Sequence, residues 1–349
     1  MTWLSLLLAD PSPNLRLRVL RDLLGRPADD AEVQELYVLR ERDPLVAPVL
    51  AAQEPDGSWT RGDLAWRGDK LRMTMLALMR LGFLGFGADH PAVQRGAAYL
   101  FSRQQPDGSW GAPTTVDGLS TKGAGGSEYE GYTMIPLQTA LPLRALSQCG
   151  YATDPHAERA YEWLLAQRLD DGAWPTGIAG GGTYGYVAGY RKMPHSRWGC
   201  RSNTTGVLCC LAYHPERCHN EAARRALDLL LGRETKEAHP LGYEVARLIG
   251  AEETRGFMTF YAKFDLALIL DLCWRIGATT DDARVADIVT FVKEQQGPYG
   301  LWEAPQPQAS RWLTFDLLHS LAQSDKTGDW ISTEPRTPFQ TYPKKQQRY

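Results

Sequence analysis

The sequence has no excess of basic residues and no long apolar run, and both absences restrict what the protein does. With 38 Lys and Arg against 41 Asp and Glu, the 349-residue chain has a formal net charge of -3 and a pI of about 6.2. This balance gives no support for nucleic-acid binding through a basic surface. The apolar run at residues 3–9 is too short for a signal peptide or a membrane span. We therefore expect a cytoplasmic protein without a transmembrane segment.

Cysteine is scarce, and no flexible linker divides the chain. The six cysteines are irregularly spaced and have no secretory context, which favours reduced thiols over disulfides. No Gly/Ser-rich linker interrupts the chain before a Pro-, Gln- and Lys-rich C-terminus. We predict a single folded domain over residues 1–325 and a disordered tail over residues 326–349.

What the sequence does contain is a repeated motif, Gln-x-x-x-Gly-x-Trp. Two copies have the same spacing, a third has one inserted residue, and a fourth is less well preserved; they occupy residues 53–59, 104–110, 167–174 and 296–302. The tryptophans are separated by 51, 64 and 128 residues, so one copy is missing near residue 238. Repeats of this length indicate stacked supersecondary units that bury their apolar faces against one another.

The segments between the motifs are typical of paired helices. In each pair, an almost wholly apolar helix ends near a glycine, and an amphipathic helix then leads into the next motif. The apolar helices are predicted over residues 73–81, 141–148 and 266–276, and they end at Gly82, Gly150 and Gly277. About six such pairs fit in the chain, which is enough to close a ring of inner helices within a ring of outer ones.

Two long Gly- and Tyr-rich segments, residues 111–132 and 176–198, interrupt the regular unit. Loops of this length frequently form lids or the walls of binding sites. The first segment carries Glu128 and Glu130, and the second ends at Trp198. We therefore expect both segments to border a functional site.

The Gln-x-x-x-Gly-x-Trp repeats between paired helices resemble the "QW" motifs of the terpenoid cyclase and protein prenyltransferase superfamily. The resemblance covers about residues 12–323, and residues 311–314 also look like small uncharacterised bacterial squalene-cyclase-like proteins. It implies an all-α fold, an (α/α)6 toroid, in which the motif Gln caps a helix end and the Trp stacks between outer helices. Because fold alone does not determine function, the site needs separate arguments.

The acid motifs of this superfamily are absent. The squalene cyclase branch protonates its substrate with Asp-x-Asp-Asp, and no such motif occurs here. Metal-dependent terpene synthases bind Mg²⁺ with Asp-Asp-x-x-Asp, which invites comparison with the aspartate pairs at residues 29–30, 170–171 and 281–282. Their positions in the repeat, shared with Asp89 and Asp154, predict N-caps of outer helices and a motif-loop residue instead.

Protein prenyltransferases hold zinc with an Asp-x-Cys and a later His, and Asp271, Cys273 and His319 provide the same residue types. The register argues against a zinc site, because the family's Asp-x-Cys would begin near Leu268, about one turn earlier. Asp271 also has Arg275 four residues later, which is an ordinary ion-pair partner. We therefore expect no metal centre and no cofactor, with Mg²⁺ entering only alongside a diphosphate substrate.

Four basic residues occur at the predicted N-terminal ends of inner helices, where a toroid has one mouth of its central cavity. They are Lys70, Arg201, Lys263 and Arg311. Because helix N-termini attract anions, these cations predict a site for a diphosphate or carboxylate head group. The alternative is a structural rim in which the cations pair with acidic neighbours, namely Asp69, Asp265, Glu128 and Glu130.

The same four acidic residues are the candidate general acids, because a carboxyl group above an apolar cavity can be held neutral. Tyr261, Trp198 and Trp312 are candidate substrate-binding aromatics that would stabilise carbocations. We expect a terpenoid-cyclase-like enzyme that acts on an isoprenoid, with a prenyl diphosphate as first candidate, in an apolar central cavity. A non-catalytic toroid that binds a lipid or a partner peptide is the second hypothesis. A zinc-dependent prenyltransferase-like enzyme is the third.

Overall fold

A computed structural model describes most of the chain. The described residues are 2–60, 70–111, 135–177, 191–232, 240–252, 261, 263–324 and 330, with the backbone of four two-residue strands between 112 and 133. Asp69, Glu128 and Glu130 lie outside them, as does most of both long loops and of the predicted tail.

The described chain is mainly helical, as predicted. Its α-helices, numbered α1 to α14, are Thr2–Leu8, Pro13–Arg18, Ala31–Leu39, Ala47–Ala51, Lys70–Phe83, Pro91–Ser102, Pro136–Leu146, Pro155–Ala166, Arg201–Leu211, Glu221–Leu231, Tyr243–Leu248, Leu266–Ile276, Ala283–Glu294 and Ser310–Ser324. One-turn π-helical segments, Val19–Leu23 and Ser147–Tyr151, continue α2 and α7. The strands form two antiparallel two-residue pairs, Ala112–Pro113 with Tyr132–Thr133 and Thr115–Val116 with Leu119–Ser120.

Six of the described helices form an inner ring in the order α2, α5, α7, α9, α12, α14. α5 packs on α7, α7 on α9, and α12 on α14. The ring closes between its first and last members, because the guanidinium of Arg18 in α2 lies 4.7 Å from the centre of the Phe315 ring in α14. Outer helices α6, α8, α10 and α13 pack outside this ring. The architecture confirms the predicted α/α toroid.

The motif tryptophans join each outer helix to the following inner helix. The Trp110 indole N–H donates to the carbonyl of Leu100 in outer helix α6, at 2.9 Å. Its backbone N–H donates to Thr139 Oγ1 in inner helix α7, at 3.0 Å. The other three tryptophans, Trp59, Trp174 and Trp302, make the same two bonds, with Thr74, Thr204 and Thr314 as the hydroxyl partners. All four indoles are fully buried.

The motif glutamine and glycine connect neighbouring repeats. The Gln104 side-chain amide donates to the carbonyl of Gly108 in its own loop and to that of His156 in the first turn of α8. Gly108 has a φ of +92°, and a Cβ there would lie 2.5 Å from the carbonyl oxygen of Arg159. Glycine is therefore required both by the backbone conformation and by the close approach of the next outer helix.

Three of the predicted aspartate caps are confirmed, and one prediction is wrong. Asp30, Asp154 and Asp282 each precede an outer helix and accept a hydrogen bond from a backbone N–H in its first turn. Asp89 does not cap α6, because the next residue, His90, takes that position and accepts from the backbone N–H of Ala92. Asp171 lies in a motif loop, where it accepts from the backbone of Ala173.

The predicted helix end at Gly82 is also wrong. Helix α5 continues through Gly82 to Phe83, and the glycine with positive φ that follows it is Gly85. Gly82 instead allows close packing, since a Cβ there would lie 3.0 Å from Cβ of Gln148. Gly150 and Gly277 do have positive φ, as predicted. The glycine that corresponds to Gly150 and Gly277 is therefore Gly85, three residues later than predicted.

The folded part of the chain extends beyond the predicted boundary at residue 325. Trp330 is only 9% exposed, belongs to the main hydrophobic core and donates to Asp282 Oδ2 at 2.8 Å.

All six cysteines are free and buried. Among the described helices, none is long and apolar enough to cross a membrane.

Candidate active site

Helix α11 occupies the interior of the ring. It contacts α5 and α12, which lie opposite each other in the ring order, and it also contacts α14. On the side facing α7, the helix opposite α14, its Glu244 pairs with Arg144 at 2.6 Å. A helix that reaches two opposite pairs of inner helices must lie between them. Five of its six residues are accordingly buried, including two charged ones.

A network of charged residues holds α11 in place. Glu244 accepts from Arg144 of α7 and from Arg247 one turn along α11, at 2.6 and 2.5 Å. Both guanidinium groups also donate to the hydroxyl of Tyr261, at 2.8 and 3.0 Å. Burial favours the neutral acid, but the two flanking arginines lower the pKa of Glu244 below its usual value. The carboxylate therefore stays ionised inside the ring.

A cavity of about 90 Å³ lies beside α11, toward the C-terminal ends of the inner helices. Its wall combines charged and aromatic side chains with a few aliphatic ones, contrary to the expected apolar cavity. The lining residues are Arg18, Gly82, Phe83, Arg144, Tyr213, Glu244, Val245, Leu248, Leu268, Asp271, Arg275, Phe315, Asp316 and His319. This position is at the opposite end of the inner helices from the predicted anion site.

Asp316 has the chemical character of a proton donor. It is only partly exposed, and in the described part of the chain no hydrogen bond or ion pair engages its carboxyl group. Burial, and secondly the neighbouring charge of Asp271, raises the pKa of Asp316 well above its usual range. Asp271 itself is held by the Arg275 guanidinium, whose Nε lies 2.9 Å from both carboxylate oxygens. Burial and the charge of Asp271 therefore favour the protonated form of Asp316 at the cavity wall, whereas the charges of Arg18 and Arg275 oppose the shift.

His319 lies one turn after Asp316 on α14 and lines the same cavity. Burial, and secondly the charge of Arg18, lowers the pKa of His319. Its ring stacks on Phe315, with centroids 6.1 Å apart, and meets Trp274 edge-on at 5.3 Å. The imidazole is therefore neutral near pH 7 and able to accept a proton. A carboxyl group with a raised pKa and an imidazole with a lowered pKa on one wall are the two parts of a candidate acid–base pair.

Asp265, the predicted general acid that the structure describes, is a cap rather than a cavity residue. Its carboxylate accepts backbone N–H groups from Ala267 at the start of α12 and from Gly242 and Glu244 at the start of α11. Burial raises the pKa of Asp265 to about 6, although these hydrogen bonds oppose the shift. Its oxygens point at backbone donors, and it does not line the cavity.

The four cations predicted to bind an anion each contact a protein group. Lys70 pairs with Asp56 of the first motif loop at 2.9 Å, and Arg311 pairs with Asp10 at 2.9 Å. Arg201 donates to the carbonyl of Lys192, and the Lys263 ammonium lies 3.8 Å from the centre of the Tyr243 ring. None of the four lines the cavity. These contacts favour the charged-rim interpretation, and the ion-pair partners of Lys70 and Arg311 are Asp56 and Asp10 instead of the acidic residues that the sequence suggested.

The predicted aromatic residues are separated in the structure. Tyr261 belongs to the buried arginine network, and the Trp312 ring lies 5.5 Å from the Phe83 ring, whereas Trp198 is 41% exposed.

The three residues of the zinc hypothesis, Asp271, Cys273 and His319, do not share one site. Asp271 and His319 line the cavity, but Cys273, equally on α12, is fully buried outside it. No cluster of three or more potential metal ligands occurs in the described portion of the protein.

Asp316, Arg144 and Glu244 are site residues that sequence reasoning missed. Asp316 and Arg144 are charged residues within mainly apolar helical stretches, and Glu244 has Arg247 as the one other charged residue of its short helix. Burying a charged side chain costs free energy unless the charge is paired or used in function. A charged residue in an apolar helix is therefore the feature of the sequence that could have indicated these site residues. This feature does not tell which of these residues share a cavity.

Fold and cavity together define a helical toroid with an internal cavity that titratable side chains line. The family model of the squalene-hopene cyclase C-terminal domain matches residues 10–190. The chain therefore belongs to the squalene-hopene cyclase C-terminal domain family, within the terpenoid cyclase superfamily that the QW repeats indicate.

Curated relatives and solved structures show more limited similarity. The chain is 29% identical over 150 residues to the squalene–hopene cyclase of Zymomonas mobilis, covering 43% of this chain and 22% of that protein. It is 31% identical over 129 residues to that of Bradyrhizobium diazoefficiens, covering 37% of this chain and 18% of that protein. The chain thus spans about a fifth of the length of these relatives. A structure of the type II terpene cyclase MstE from Scytonema, with geranylgeranyl dihydroxybenzoate bound, is 16% identical at a TM-score of 0.46, over 93% of this chain and 87% of that one.

Proposed function

We propose that this protein is a terpenoid-cyclase-like enzyme that protonates a double bond of an isoprenoid in the cavity. Asp316 is the proton donor and His319 the final proton acceptor. The observation that carries the proposal is the pairing of these two residues on one wall of an interior cavity, within a member of a cyclase family. Prenyl diphosphates are the first substrate class to examine, with Mg²⁺ as the counter-ion of the diphosphate.

The chemistry uses the side chains that line the cavity. The O–H bond of Asp316 breaks, and its proton forms a C–H bond with one alkene carbon, which leaves a carbocation on the other. Among the aromatic rings that line the cavity, Phe83 is the candidate for cation–π stabilisation of that charge. Guanidinium groups lie closer over the other two rings, Arg18 over Phe315 at 4.7 Å and Arg275 over Tyr213 at 4.2 Å. The π electrons of the next double bond of the substrate, which reaches the cation from the cavity mouth, then form the C–C bond that closes the ring and leave a new cation. A C–H bond next to this new cation breaks, and its proton passes to His319. Exchange with water then returns a proton to Asp316 and removes one from His319.

The proposed roles predict how activity depends on pH. Catalysis requires a protonated Asp316 and an unprotonated His319. Because the pKa of His319 is lowered, activity falls on the acid side only below the usual titration range of histidine. Because the pKa of Asp316 is raised, activity persists above the usual range of a carboxylic acid and falls when that group ionises.

Turnover in heavy water tests the proposal directly. The protein is incubated in D₂O with geranyl, farnesyl and geranylgeranyl diphosphates and with squalene, and the products are analysed by mass spectrometry. We expect a cyclised product that carries one deuterium from solvent. Asp316→Asn should reduce product formation by about a hundredfold or more, since it removes the general acid.

Asp287→Asn, at an exposed position of outer helix α13, is the matched control and should leave turnover unchanged. Product without solvent deuterium would point to ionisation of the diphosphate and would contradict protonation by Asp316. Equal turnover by Asp316→Asn and the wild type would exclude Asp316 as the donor.

A non-catalytic toroid is the second candidate, and the position of α11 favours it. α11 fills the ring interior where a large ligand would otherwise bind. In this case the protein would bind a small lipid or a partner without transforming it. Binding of an isoprenoid without any product in the D₂O experiment would support this second function.

A further inference from the structure

The missing QW repeat and the position of α11 are parts of one structural change. In the complete repeats, an outer helix leads through a motif loop into the next inner helix, as α6 leads into α7. After outer helix α10, which ends at Leu231, the chain instead places α11 inside the ring before inner helix α12 begins at Leu266. The segment where the motif is lost therefore supplies a helix that fills the centre.

Both ends of α11 are held by side chains from other helices. At its N-terminus, Asp265 accepts from the backbone N–H groups of Gly242 and Glu244, at 2.9 and 2.7 Å. At its C-terminus, Arg80 of α5 donates to the carbonyl of Leu248 at 3.1 Å. Together with the pairing of Arg144 and Glu244, these bonds satisfy groups that a short helix leaves unpaired. α11 is thus a built-in part of the cavity wall.

Two apolar residues of α11, Val245 and Leu248, close one side of the cavity. The remaining space is about 90 Å³. An apolar cavity of roughly 150 Å³ in another protein holds benzene, which has six carbons. Scaled by volume, the space here suits about four heavy atoms, which is closest to the size of one isoprene unit with its five carbons.

We propose that α11 is the specificity-determining element of this site, and that Val245 and Leu248 restrict the cavity to a single terminal isoprene unit. This inference rests on the proposed function for its ligand class, a branched five-carbon unsaturated group. The titratable residues of the wall transfer protons to and from the substrate. The side chains of Val245 and Leu248 instead limit how much of the isoprenoid substrate enters the cavity. Smaller side chains at the two positions would admit a second isoprene unit.

Binding measurements in the absence of turnover test the inference. Calorimetry is performed on the Asp316→Asn protein with three alcohols of increasing length: 3-methyl-3-buten-1-ol, geraniol and farnesol. We expect the five-carbon alcohol to bind, and we expect geraniol and farnesol to bind no more tightly than it does despite their additional carbons. Adding Leu248→Ala should tighten geraniol binding by about tenfold, because one extra buried methylene changes affinity by roughly tenfold or more.

Leu227→Ala is the matched control, because Leu227 is fully buried in outer helix α10 and does not line the cavity. It should leave the affinities for all three alcohols unchanged. Val245→Ala provides a second variant, with a smaller gain for geraniol, so that poor folding of one protein does not decide the outcome.

The outcomes separate this inference from the proposed function. Selective binding of the five-carbon alcohol without turnover by the wild type would support the role of α11 and contradict the cyclase proposal. Turnover together with equal tightening of all three alcohols in Leu248→Ala would retain the cyclase proposal and overturn the role of α11. The absence of binding by every variant would overturn the inference as well.

Discussion

Each motif tryptophan makes two hydrogen bonds, one to the helix that precedes the motif in the sequence and one to the helix that follows it. Its indole N–H reaches the last turn of the outer helix before it, and its backbone N–H reaches a threonine in the inner helix after it. Because all four indoles are fully buried, water cannot replace either bond. At this scale the repeated motif is a structural clamp between two layers of helices and takes no part in the candidate chemistry.

Replacing the threonine partner should destabilise the fold. Thr139→Val retains the shape of the side chain but removes the acceptor of the Trp110 backbone N–H, which leaves a buried donor unsatisfied. We expect a loss of about 1–3 kcal/mol in the free energy of unfolding, measured by urea denaturation. Thr290→Val, on the exposed face of an outer helix, should cost about 0.5 kcal/mol or less. Equal losses in both variants would contradict the clamp.

At the scale of elements, α11 shows how one changed repeat alters the molecule. A six-residue helix is unstable in isolation, so α11 depends on contacts from the ring around it. Several of those contacts are polar: the cap by Asp265, the bond from Arg80, the pair with Arg144 and the bond from Arg247 to the Tyr261 hydroxyl. The element that narrows the cavity is therefore held by directional bonds that fix its position.

Neutralising the centre of this network should be costly. Glu244→Gln leaves Arg144 and Arg247 buried without a carboxylate, and we expect a loss of about 3–5 kcal/mol in the free energy of unfolding. Glu221→Gln is the matched control, because the Glu221 side chain is 73% exposed in its pair with Arg168. It should cost about 1 kcal/mol or less. Chemical denaturation at neutral pH measures both, and a cost for Glu244→Gln no larger than the control would contradict the network.

At the scale of the whole molecule, contacts between distant parts of the sequence close the ring. Arg18 near the N-terminus donates to the carbonyl of Phe83 at 2.7 Å and lies over Phe315 of the last inner helix. Arg311 pairs with Asp10 across the same closure. Trp330 extends the folded region by packing into the core and bonding Asp282. Both ends of the described chain therefore take part in the fold.

The contribution of Trp330 is measurable. Trp330→Ala removes a buried indole and its hydrogen bond to Asp282, so we expect a loss of about 3–5 kcal/mol in the free energy of unfolding. Trp198→Ala, at a side chain that is 41% exposed, should cost about 0.5 kcal/mol. Thermal and chemical denaturation compare the two. A negligible effect of Trp330→Ala would restore the domain boundary at residue 325.

Most of the fold was predictable from the sequence, because it depends on local periodicity and on the spacing of the repeats. The paired helices, the caps at Asp30 and Asp154, and the ring were inferred from such patterns. The prediction that a helix ends at Gly82 was wrong, because a glycine can also lie inside a helix where another helix packs closely against it. Asp89 misled it because His90, with a similar ability to accept a hydrogen bond, provides the cap.

The sequence by itself determined the family, the double ring of helices and the absence of the usual acid motifs. Only the tertiary structure decided that α11 fills the ring and that Asp316, His319 and Asp271 face one cavity. These residues come from two helices separated by an outer helix in the sequence, and no local pattern encodes their proximity. The acid–base character of Asp316 and His319 likewise arises from burial and neighbouring charges, which exist only after the ring has closed.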